Sequence, residues 1–149
     1  MNLSKQAKWT RVSNAVGAGT TEIDSAVINM ADFEGVVFSV AFGTITSGAV
    51  TTVKLQQSLV GDGSGMSDIA GSHITVADTA DNTIVLNDLY QIDATAGPYL
   101  RCVVTRATQN AVVDSITAIQ YSPRVKPPVQ DATTVSGTLF LQSPALGTA

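Results

Sequence analysis

One histidine, one cysteine and a few loop carboxylates are the groups in this sequence with which catalysis or metal binding would have to work. A serine nucleophile would have to use His73, in Gly71-Ser-His-Ile-Thr75, as its base. Serine hydrolases of the Gly-x-Ser-x-Gly type hold the nucleophile on a sharp strand-to-helix turn. Gly61-Asp-Gly-Ser-Gly65 lacks that spacing around Ser64, so His73 reads as a surface-loop residue. A cysteine nucleophile needs a nearby base and an accessible, electropositive position. Cys102 instead lies in Leu100-Arg-Cys-Val-Val104, where strand alternation groups it with Leu100 and Val104 as a small core residue. With no second cysteine, neither an internal disulfide nor a thiolate metal cage can form.

Asp62, Asp68, Asp78 and Asp81 fall in Gly/Ser-rich loops, where flexible oxygen ligands could surround calcium. Their spacing matches no EF-hand, and loop aspartates commonly close local Asx-turns instead. A carboxylate pair for glycoside hydrolysis would have to draw on Glu22 or Glu34, and neither sits in a recognisable setting. No cofactor is implied by any of these groups. The longest interruption, Leu59 to Ser72, is a candidate binding loop, although its glycines equally suit a turn.

The elements that position these residues are strands. From Phe33 to Tyr121, apolar and β-branched runs alternate with turn residues at intervals of roughly 10 residues, as in a sandwich or barrel. Gly35 to Gly43 carries Val36, Phe38, Val40 and Phe42 on one face and Val37, Ser39 and Ala41 on the other, the pattern of a central strand. Thr51 to Ser58 alternates Val53 and Leu55 with Thr52, Lys54 and Gln56, as a strand with one wet face does. Further runs are Ile74–Val76, 83–90, 99–105 and 113–121, with Gly97-Pro98 marking where the run at Tyr99 begins. Helix is expected only in short turns, at Leu3 to Trp9 and after Met66, where Ser67 could cap Asp68-Ile69-Ala70.

A chain of 149 residues with 44% hydrophobic and 13% charged residues suits one folded domain. The net charge of −4 and eight scattered cations offer no stripe for a phosphate backbone, which argues against nucleic acid. No apolar run reaches signal-peptide or membrane-span length, so the chain reads as a soluble protein made in a cytoplasm, with no membrane partner. Composition shifts at both ends divide it into an N-terminal arm (1–20), a β-sandwich domain (21–122) and a proline-bearing C-terminal arm (123–149). The arms hold the candidate protein-contact residues: Trp9, Leu139, Phe140 and Leu141 are too apolar for a solvated linker.

Four phrases, Val53-Lys-Leu-Gln-Gln-Ser58, Asp62-Gly-Ser-Gly-Met-Ser-Asp-Ile-Ala-Gly71, Pro98-Tyr-Leu-Arg-Cys-Val-Val-Thr-Arg106 and Ala118-Ile-Gln-Tyr-Ser-Pro-Arg124, resemble the capsid decoration, or cement, proteins of tailed double-stranded DNA bacteriophages. The resemblance covers roughly residues 30 to 128. It implies an all-β fold, an antiparallel β-sandwich such as a jelly roll, on the outer surface of the head. It also implies a homotrimer that clamps neighbouring major capsid protein subunits and has no active site. Two other classes compete: a carbohydrate- or receptor-binding sandwich of a head fibre or tail, which would show aromatic platforms, and a small hydrolase built on His73 or an acidic pair.

Overall fold

The computed structural model describes residues 2 to 141. A four-residue helix α1 (Leu3–Gln6) is followed by strands β1 (Ala7–Ser13), β2 (Val16–Gly19), β3 (Ile23–Asp24), β4 (Ile28–Asn29), β5 (Phe33–Ile45) and β6 (Val50–Ser58). Next come β7 (Ser67–Asp68), β8 (Ile74–Val76), β9 (Ile84–Tyr90), β10 (Tyr99–Ala107) and β11 (Ala111–Pro123). No helix among the described residues is long and apolar enough to cross a membrane.

Every pairing is antiparallel. One sheet runs β1-β11-β5-β9 with β2 also on β11; the other runs β3-β10-β6-β7, with β4 on β10 and β8 on β6. Taking β1 with β2, β3 with β4 and β7 with β8 as interrupted strands leaves eight strands. Numbered one to eight, they lie 1-8-3-6 in one sheet and 2-7-4-5 in the other. That is the jelly-roll order, two Greek keys wrapped into a double sheet.

The core lies between the sheets. Val36, Phe38, Val40 and Phe42 of β5 and Ile116 and Ala118 of β11 face Val53 and Leu55 of β6 and Leu100, Cys102 and Val104 of β10, all essentially inaccessible to solvent. The expected alternation is therefore realised on both central strands. Gly97 stands before β10 with φ of +104°, where a Cβ would overlap the Ser58 carbonyl, so the turn there requires glycine.

Three local expectations are corrected. Residues 7–19 are not an extended arm: β1 and β2 form the first strand of the jelly roll, because β11 would otherwise present a long unpaired edge. The N-terminal helix stops at Gln6, since Ala7 enters the ladder opposite Tyr121. Ser67 caps no helix; Ser67 and Asp68 pair with Gln57 and Gln56, and the Asp68 carboxylate accepts bonds from Lys54 Nζ (2.9 Å) and Gln56 Nε2 (2.7 Å) that tie the segment to β6. Residues 124–141, beyond β11, are irregular, and Gln130 and Thr134 hold them along their own β1.

Candidate functional site

The structure disperses the groups that could have done chemistry. His73 is exposed in the turn before β8 and makes no side-chain hydrogen bond among the described residues. Each loop aspartate serves its own neighbourhood. Asp62 Oδ1 accepts from the Ser64 N–H (2.8 Å), and hydrogen bonding from the Ser64 side chain first and that N–H second holds its pKa below the usual carboxylate value. Asp78 accepts from the Gly48 N–H (2.6 Å) and Asp81 from the Ile45 N–H (2.5 Å). Glu22 accepts from Thr105 Oγ1 (3.3 Å), while Glu34 lies at the other end of the sandwich beside Phe33 and Arg124. Among the described residues, no three Asp, Glu, His or Cys side chains gather as a metal site would require. The long loop after β6 closes on itself, with Ser58 Oγ bonded to the Ser64 carbonyl and to the Val60 N–H.

Cys102 is wholly buried, and its burial pushes the thiol up to about 12. Thiol reagents should therefore label it at pH 8 only at the rate of unfolding, and denaturant should speed labelling about 10³-fold or more. Fast labelling of native protein would contradict this burial. Since the folded pKa is raised from 9.0, the buried thiol contributes stability that is present below pH 9 and lost as pH climbs towards 12.

What the fold assembles instead is an apolar outer face on the β1-β11-β5-β9 sheet. Register puts Trp9, Ile119, Val37 and Asp88 in one row across it and Ala7, Tyr121, Gly35 and Tyr90 in the next. Gly35 is small for a reason: a Cβ there would overlap the Tyr121 ring, which lies across it to stack on Tyr90 with centroids 6.3 Å apart. The Tyr121 hydroxyl donates to Asp88 Oδ1 (2.7 Å); burial first, and that bond second, push the phenol up to about 12. Leu3 of α1, Val37, Leu86, Ile119 and Tyr121 line a depression of about 520 Å³ on this face.

Beside it, Trp9, Arg11, Thr117, Thr134 and Leu139 line a cleft of about 560 Å³ between β1 and the C-terminal arm. The structure thus brings two of the sequence-chosen residues, Trp9 and Leu139, to one surface. Phe140 lies beneath the Lys5 ammonium, 4.7 Å from the ring centroid, and Leu141 is exposed. Reading the sequence missed Ile84, Leu86 and Tyr90, three large side chains on β9 left mostly in solvent. Their signal was available: residues 83–90 carry apolar side chains on both faces, and β9 is an edge strand whose outer face is left in solvent.

No family model matches the chain, and no curated protein matches it. Among solved structures, a chain in the structure of infectious bursal disease virus Gt strain is similar, with 11% identity and a TM-score of 0.46. The likeness covers 83% of this chain and 34% of that one, so this chain spans about a third of its length.

Proposed function

We propose that this chain is a virion structural protein that binds the outer surface of a tailed-phage head and stabilises contacts between major capsid protein subunits, acting as a homotrimer without catalysis. The observation that carries the reading is the apolar surface left over once the core is complete: Ile84, Leu86 and Tyr90 on β9, with Leu139, Phe140 and Leu141 on the arm. Exposed large apolar side chains gathered on a sheet edge and on an arm are the kind of surface that meets a partner. The jelly roll is compatible with capsid roles and equally with lectin roles, so fold alone does not decide. The exposed Tyr90 ring beside Asp88 is the feature that favours the glycan- or receptor-binding alternative.

Linked weak contacts raise avidity by about 10² to 10⁴ when geometry lets them engage together. A chain ended at Gly137 keeps the Gln130 and Thr134 contacts to β1 and should fold normally. Mixed with undecorated heads, it should bind at least about tenfold more weakly than the full chain and protect heads less against heat. Equal occupancy and equal protection would refute a clamp that uses the arm. Strong binding to glycans with none to heads would favour the alternative.

A further inference from the structure

The two edges of the β1-β11-β5-β9 sheet are built differently. At β1, Gln130 Oε1 accepts from the Trp9 N–H (2.9 Å), Gln130 Nε2 donates to the Ala7 carbonyl (2.8 Å), and Thr134 Oγ1 accepts from the Arg11 N–H (3.2 Å). A register shift between Arg11 and Ser13 also bends that strand. Side-chain caps, positive charges and bulges are the usual protections of an edge against a stray strand.

Among the described residues, the β9 edge has none of these. Its seven residues pair with β5 in unbroken register, and Asp88 is their single charge. The Phe42 N–H donates to the Thr83 carbonyl (2.9 Å) and the Gln91 N–H to the Glu34 carbonyl (3.0 Å). Antiparallel alternation then turns the backbone groups of residues 83, 85, 87, 89 and 91 towards β5 and those of Ile84, Leu86, Asp88 and Tyr90 to the open side. Among the described residues, no hydrogen bond reaches the backbone N–H or carbonyl groups of these four.

The same chain carries a segment suited to that edge. Thr138-Leu-Phe-Leu141 is uncharged and β-prone, Leu139 is 80% exposed, and no backbone hydrogen bond involves residues 136–141 among the described residues. Laid beside β9, it would place Leu139 and Leu141 on one face and Phe140 on the other, and β9 offers apolar neighbours on both, Ile84 and Leu86 outside and Val85 and Leu89 inside.

We infer that residues 138–141 of one copy add as a strand to the open β9 edge of a second copy. Its own arm is poorly placed to do so. The arm is fixed at β1, three strand spacings or about 15 Å from β9, and crossing them uses about five extended residues. Counted from Val135, those five residues end at Leu139, so residues 138–141 could not lie along β9 in cis as an intact strand. Between copies, the roughly 20 Å of extended chain from Val135 to Leu141 is free to run along the strand. Each copy then gives one arm and receives one, a head-to-tail contact that three copies can close into a ring. The inference rests on the proposed homotrimer and is independent of what the trimer binds.

Leu86→Cys and Leu139→Cys proteins, purified separately, mixed and treated with a short bifunctional maleimide, should give a dimer joining positions 86 and 139. Neither alone should cross-link, and buried Cys102 should stay silent. A product joining 86 to 86, an intramolecular product in the double variant at high dilution, or an oligomer that yields no 86–139 product would overturn the inference. Leu86→Pro, which removes an outward N–H and spares the β5 ladder, and truncation after Gly137 should each weaken self-association at least tenfold with the fold retained. Leu86→Lys replaces the proline variant should that one unfold. Association unchanged in the folded variants also overturns the inference. A full chain that stays monomeric both in solution and on heads overturns the trimer with it, whereas a trimer lacking the 86–139 product overturns the strand exchange alone.

Discussion

A chain beginning at Thr21 should not fold. The residues removed include β1, which pairs with β11 from Ala7 to Ser13, and β2, which pairs with β11 around Ala111 and Val113. Their loss uncovers one whole side of a thirteen-residue strand rich in Val, Ile and Ala. It also removes Val12, a buried core residue whose burial contributes about 2 kcal/mol. Each lost ladder bond adds about 1 kcal/mol, so the sum is comparable with the whole stability of a domain, about 5 to 15 kcal/mol. Circular dichroism of the truncated chain should show lost near-ultraviolet signal or insoluble protein, because the bared β11 edge invites pairing between chains. A soluble chain melting within about 5 °C of the full-length protein would show that the first strand is dispensable. Ending the chain at Gly137 should, by contrast, leave the fold intact, with the near-ultraviolet signal retained. The two termini, both read from the sequence as arms, differ in whether a strand needs them.

Replacing Arg106 with methionine should destabilise the protein by about 3 to 5 kcal/mol, near the cost of breaking a buried charged network. Arg106 belongs to β10 in one sheet, yet its guanidinium reaches across one end of the sandwich. Nε donates to the Thr21 carbonyl (2.8 Å), Nη1 to the Gly17 (2.9 Å) and Ala111 (2.7 Å) carbonyls, and Nη2 to Thr21 Oγ1 (3.1 Å). The residue is 3% exposed and makes no ion pair among the described residues, so three carbonyl dipoles and the Thr21 hydroxyl compensate its charge. Methionine fills much of the volume but orphans those carbonyls, at about 1 to 3 kcal/mol for each that stays buried. Lysine keeps the charge and lacks the planar fork, so Arg106→Lys should fall well short of rescue. In a domain of this size the methionine variant should melt roughly 6 to 20 °C lower. A shift under 2 °C, with a matching urea midpoint, would show that water replaces the staple at no cost.

That arginine illustrates where reading the chain stops. In sequence it is one of eight scattered cations, and nothing near it announces burial; its acceptors lie far away at Gly17 and Thr21 and across the turn at Ala111. Backbone carbonyls carry no sequence signature, so a charge held by them is invisible until the chain is folded. Cys102 shows the opposite case, because alternation with Leu100 and Val104 assigns its face directly and the core packs it there.

The same division runs through the fold. Period-two alternation on β5, β6, β10 and β11, punctuated by turn residues, specified an antiparallel sandwich, since each strand's faces are written in neighbouring residues. Strand neighbours are not written locally. Whether residues 7–19 were an arm or the first strand depended on β11 having an unfilled edge, and the peripheral place of residues 83–90 depended on no other described strand pairing beyond them. The sequence by itself determined the fold class, the wet and dry faces, the buried cysteine and the apolar character of the C-terminal arm. Only the tertiary structure decided the jelly-roll order, the capped β1 edge and the open β9 edge. Pairing between distant segments is settled by which backbone groups would otherwise lack partners, a property of the whole chain and not of any one stretch.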